Sequence, residues 1–189
     1  MRFNNFVKDI VGNEVKHQFD NVVNLSQNIN GGWEVWLQVQ LFLRLNSPNN
    51  VGTQSFTREE KYNGLAIKSD FAFVPKNAAD TKTWVELKVQ RNGDFNQAVE
   101  EFIEDINKIS DPQVKNSLRS NDTAGAVVVI PYRPWDALGI LHGLFQSNFP
   151  KVGYCLVDRT SVSPTATLNT PPQQSDVQGK VLILYWIAK

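Results

Sequence analysis

Asp70, Glu86 and Lys88 are the side chains whose types and spacing suit chemistry. Glu86 and Lys88 stand two apart in Thr83-Trp84-Val85-Glu86-Leu87-Lys88-Val89-Gln90, a run of strict alternation. In a strand that alternation sends Val85, Leu87 and Val89 to one face and Trp84, Glu86, Lys88 and Gln90 to the other. Asp70 lies within the preceding strand-like run and can approach the Glu86–Lys88 face if the two strands pair across the polar loop from Pro75 to Lys82. Two carboxylates and an ammonium group in one place suit phosphodiester hydrolysis. A hard divalent cation, magnesium or manganese, takes oxygen ligands and needs few of them from the protein. Asp70, Glu86 and the backbone carbonyl of Leu87 would supply three. Such an ion acidifies the water it holds and offsets charge gathering on phosphate oxygens. The Lys88 ammonium would orient that water or stabilise the same charge. The plain alternative is a surface charge pair of little energetic weight, with Asp70 capping a turn.

The elements that must position these residues are legible in the hydrophobic periodicity. Phe6 to Leu25 carries apolar residues every three to four positions, a helical pattern, and Asn28 to Gly32 then breaks the chain with turn formers. Trp33 to Leu45 is apolar nearly all round, which predicts a helix buried on most sides, with a strand over Val35 to Leu43 as the competitor. Gln54 to Tyr62 reads as an exposed strand whose Arg58, Glu59, Glu60 and Lys61 form a solvated face or, alternatively, line the cleft. Asn63-Gly64 joins it to a strand over 66–74, a strong hairpin signal. After the strand over 83–90, Asp94 caps an amphipathic helix over 95–109. A buried strand over 124–132, a proline-initiated helix over 134–149 and strands over 152–157 and 180–187 follow. The Ser/Thr/Pro/Gln-rich stretch from Asp158 to Gly179 reads as a long loop.

Asp70, fifteen intervening residues and then Glu86-Leu87-Lys88 resembles the PD-(D/E)XK nuclease superfamily, which includes restriction endonucleases, repair nucleases and toxin nucleases. The family core runs helix, three strands, helix, strand, and residues 33 to 132 read in that order. The resemblance covers roughly half the chain and departs at Ser69, where the named motif has proline. It implies an α/β fold of restriction-endonuclease type, with a central mixed sheet flanked by helices and an extra C-terminal helix and strands. It also implies a magnesium- or manganese-dependent nuclease acting on nucleic acid, DNA ahead of RNA. Family members often place a glutamate on the first core helix, for which Glu34 is the match, and some carry a glutamine on the second, for which Gln97 is the match. The bland readings are a macrodipole-favoured acid for Glu34 and a solvated helix residue for Gln97.

The chain of 189 residues suits one domain: a core over about 33–132, an N-terminal helical extension over 1–31 and a C-terminal part over 133–189. Nineteen basic residues balance nineteen acidic ones, so any nucleic-acid surface must be a local patch. Tyr132, Arg133 and Trp135, after a central strand, either stack on bases and pair with phosphates or form a plain connection. Cys155, the only cysteine, precludes an intrachain disulfide and reads as a buried core residue. His17 and His142 form no ligand pattern. Neither a secretory signal nor a membrane span is expected, so the location expected is cytoplasmic. A homodimer or a protein partner is compatible with the neutral charge and five tryptophans. A nuclease-like fold recruited for protein interaction or immunity is the competing reading. No Gly-Xaa-Ser-Xaa-Gly elbow, phosphate-cradling glycine loop or zinc-ligand cluster is present.

Overall fold

A computed structural model describes residues 2–29, 33–47, 52–76, 81–136, 152–168 and 172–188. Seven strands form one mixed sheet in the order β1-β2-β3-β4-β7-β5-β6. They are β1 (Thr53–Arg58), β2 (Phe71–Pro75), β3 (Thr83–Val89), β4 (Thr123–Ile130), β5 (Gly153–Val157), β6 (Ala166–Thr167) and β7 (Val181–Ile187). The helices are α1 (Phe3–Asn5), a π-helical turn over Phe6–Gly12, α2 (Asn13–His17), α3 (Phe19–Asn28), α4 (Trp33–Leu45), α5 (Phe95–Ser110), α6 (Pro112–Ser117) and α7 (Gln174–Val177). The expected order of helix, three strands, helix and strand is observed from α4 to β4, with α6 inserted before β4.

Strand alternation divides the core into two layers. Val85, Leu87 and Val89 face the N-terminal helices and α4. Trp84, Ala124, Ala126 and Val128 face α5 and α6. β3 and β4 pair in parallel from Thr83 opposite Thr123 to Val89 opposite Val129, with α5 as part of the crossover between them. The α5 cap follows the sequence reading, since the Asp94 side chain accepts from the Gln97 N–H.

Several elements depart from expectation for identifiable reasons. The helix expected over 6–25 is interrupted at Gln18, whose φ of −105° and ψ of 21° leave the helical region. The competing strand over Val35 to Leu43 is not formed; α4 is a helix, but it is not buried on most sides. Val35, Val39, Phe42 and Leu43 are exposed on its outer face, because α4 lies over one side of the sheet and nothing described covers its back. The first strand stops at Arg58, because Glu59 turns the chain with a φ of 50°. The stretch from Asp158 to Gly179 is not all loop: it contains β6, paired with β5, and α7, opened by a Gln173–Asp176 capping box in which the Gln173 N–H donates to the Asp176 carboxylate. Residues 134–136 are helical as expected, and the rest of that expected helix, His142 included, lies outside the described residues. Cys155 is fully buried. Among the described residues no helix is long and apolar enough to cross a membrane.

Candidate metal centre

The β1–β2 hairpin separates from β3 part-way along. β2 pairs with β3 only from Phe73 opposite Thr83 to Phe71 opposite Val85. Asp70 therefore sits one residue before β2, at the point of separation, rather than inside the strand expected over 66–74. Its carboxylate takes over the lost ladder bond: the Leu87 N–H donates to Asp70 Oδ2 at 2.6 Å. In an extended strand the N–H and C=O of one residue point to the same edge. The Leu87 carbonyl therefore faces the gap as well.

Beyond Glu59 the hairpin continues as an irregular arm, with Ser69 N–H donating to Glu60 O and Tyr62 N–H donating to Ile67 O. Asn63 and Gly64 form its tip, and the Asn63 amide donates to Ser117 O at the end of α6. The arm folds over the α5 side of the sheet. Tyr62, expected on an exposed strand, is instead fully buried with its ring stacked on Trp84 at 4.9 Å.

That arm seals Glu86, which is fully buried on β3. The Tyr62 hydroxyl donates to Glu86 Oε1 at 2.7 Å, and the Lys108 ammonium of α5 donates to Oε2 at 2.8 Å. Burial raises the Glu86 pKa, and the Lys108 charge opposes that shift. Lys88 stands 3.5 Å from Asp70 Oδ2 and 3.7 Å from Asp105 Oδ2. Burial works against its charge, but Asp105, Asp70, Glu34 and Glu86 outweigh this and raise its pKa, so it remains an ammonium.

Asp105 was not singled out by the sequence. It projects from α5, 6% exposed, and its Oδ2 accepts no hydrogen bond. Burial, reinforced by Glu86, pushes its carboxyl up to about 8. One carboxylate oxygen each from Asp70, Glu86 and Asp105 lie within 4.8 Å of one another. Among the described residues this is the one cluster of three or more potential ligands so arranged. A signal was available: Gln97, Glu101, Asp105 and Lys108 recur at helical spacing, a polar stripe beside the buried Ala98, Phe102, Ile106 and Ile109. Nothing in the sequence marks Tyr62, because its role depends on how the arm folds back.

Of the sequence-derived candidates, Asp70, Glu86 and Lys88 are brought together. Glu34, in the first turn of α4, lies close enough to feel Lys88 and Asp70; burial is the main reason its pKa rises to about 7. The neighbouring Trp33 indole anchors that turn by donating to Gln90 O at 3.0 Å, just past β3. Gln97 lies outside this set of contacts: it is exposed, and its amide donates to Glu101 one turn along. The donor set of carboxylates and a carbonyl suits a hard divalent cation. No family model matches the chain, and no curated protein or solved structure matches it at a significant level.

Proposed function

We propose that the chain is a divalent-metal-dependent nuclease of PD-(D/E)XK type, hydrolysing phosphodiester bonds in nucleic acid, in DNA ahead of RNA. One observation carries this reading: Asp70 and Glu86 oxygens converge beside the Lys88 ammonium where β2 leaves β3. The element order from α4 to β4 and the mixed, helix-flanked sheet support a restriction-endonuclease-like fold. Asp70, Glu86 and the Leu87 carbonyl would hold magnesium or manganese, which supplies Lewis-acid neutralisation of phosphate charge. Lys88, kept protonated by its acidic neighbours, would stabilise charge on the attacked phosphate rather than accept a proton. Tyr62 and Lys108 act one step back, fixing Glu86 in orientation. Tyr132 and Trp135, both exposed after β4, offer faces on which bases can stack. Gln90 ties Tyr132 to the end of β3, its side chain bonding the Tyr132 N–H at 2.8 Å and its C=O at 2.9 Å.

The test is direct. Purified protein should cleave DNA, and RNA less well, when magnesium or manganese is present. Asp70→Ala, Glu86→Ala and Lys88→Ala should each reduce cleavage by about a hundredfold or more, the scale of losing a charge-stabilising group. Wild-type protein inert toward both nucleic acids with both metals would overturn the proposal.

A second reading, a nuclease-like fold recruited to bind a protein partner, is favoured by the exposed apolar face of α4. Calorimetry separates the two, since that reading expects no metal binding that Asp70→Asn removes.

A further inference from the structure

The proposed cation site has an acid more than the motif requires. Asp105 enters from α5, an element separate from the hairpin that brings Asp70 and from the strand that brings Glu86. Its Oδ2 is buried without a hydrogen bond, and the Lys88 ammonium stands at 3.7 Å, beyond hydrogen-bond reach. Buried carboxylate oxygens ordinarily have at least one donor, as both Glu86 oxygens do. A buried oxygen with no hydrogen-bond donor and only a loose ion pair to Lys88, on a side chain clustered with two other carboxylates, is therefore hard to explain as scaffolding. Asparagine or an apolar residue would fill the same volume without bringing a third acid into the cluster.

We infer that Asp105 is a third carboxylate ligand of the divalent cation, completing from α5 a site that β3 and the hairpin begin. This rests on the reading of Asp70 and Glu86 as a cation site. The dimensions agree. An ion bonded to oxygen at about 2.1–2.4 Å places opposite ligands about 4.2–4.8 Å apart, and the three carboxylates lie within 4.8 Å of one another. With the Leu87 carbonyl the protein would present four oxygens. Magnesium, which keeps most of its waters, makes poor use of so many, whereas manganese loses water more readily and binds such sites more tightly. The consequence is a preference for manganese over magnesium in affinity.

The experiment is calorimetric titration of the full chain with manganese chloride, with thermal unfolding of the same samples. Variants are Asp105→Asn and Asp105→Leu, with Asp70→Asn as the positive control and Glu101→Gln, from the same helix, as the negative one. Both Asp105 variants should lose about tenfold to a hundredfold in manganese affinity. Their metal-free Tm should be no lower than that of wild type, since an unsatisfied acid has been removed, and manganese should raise it less. Glu101→Gln should bind as wild type does. If Asp105→Asn and Asp105→Leu bind within threefold of wild type while Asp70→Asn does not bind, Asp105 is no ligand and the two-carboxylate site stands. If wild-type protein binds no manganese at millimolar concentration, both readings fall together.

Discussion

Glu86 shows how a buried acidic side chain can be held in one orientation by its surroundings. Each of its oxygens has one donor, Tyr62 or Lys108, and each oxygen retains a second lone-pair direction. Tyr62→Phe should cost about 1–2 kcal/mol, because one acceptor on a buried group loses its partner. Lys108→Met should cost more, about 2–3 kcal/mol, because the one ammonium bonded to that carboxylate is removed. The two losses should not add, since both variants act on the same group. Denaturant unfolding of the two single variants and the double variant checks all three statements, and strict additivity would show that Glu86 does not couple them. Asp70 plays a different part, because its carboxylate also satisfies the Leu87 N–H. Asparagine is therefore the informative replacement there, since alanine would add a broken backbone bond to the loss of charge.

The elements place these side chains through two devices, the divergence of β2 from β3 and the packing of helices on both sides of β4. Gly125 on β4 illustrates the second. A Cβ there would stand 2.4 Å from Phe3 Cζ and 2.6 Å from Trp186 O, so the α1 end of the chain is seated against bare backbone. Gly125→Ala should destabilise by about 1–3 kcal/mol, the usual cost of overpacking, and a shift in denaturation midpoint measures it. An unchanged midpoint would mean that Phe3 yields freely. Much of this level was legible in the sequence. Alternation from Thr83 to Gln90 located β3 and its two faces, and the apolar repeat after Asp94 located α5 with its cap. What escaped was the course of the chain between Glu59 and Ser69. A positive φ at Glu59 and a folded-back arm leave no periodic trace, yet they bury Tyr62 and set Asp70 at the end of a strand rather than inside it. Asp105 escaped because an acid on an amphipathic helix reads as solvated until its neighbours across the layer are known.

At the scale of the whole molecule, the site acts on stability through protons. Asp105 is pushed up to about 8 and Glu34 to about 7, chiefly by burial, whereas an unfolded chain would place both near about 4. The folded protein thus holds these protons more tightly. Their stabilising contribution is complete below about pH 4 and is lost as pH rises through about 7 to 8. The metal-free Tm should therefore fall between about pH 5 and pH 8.5, and fall less in Asp105→Asn; parallel curves for the two proteins would contradict the assignment. Cys155 gives the same molecule a clock. The sole thiol of the chain lies at the middle of β5, fully buried and pushed by burial up to about 12. A maleimide or disulfide reagent should therefore find it only in molecules whose sheet has come apart, and the modification rate should track opening of the core. Manganese that grips β3, α5 and the hairpin together should slow that rate, although Cys155 belongs to none of the three.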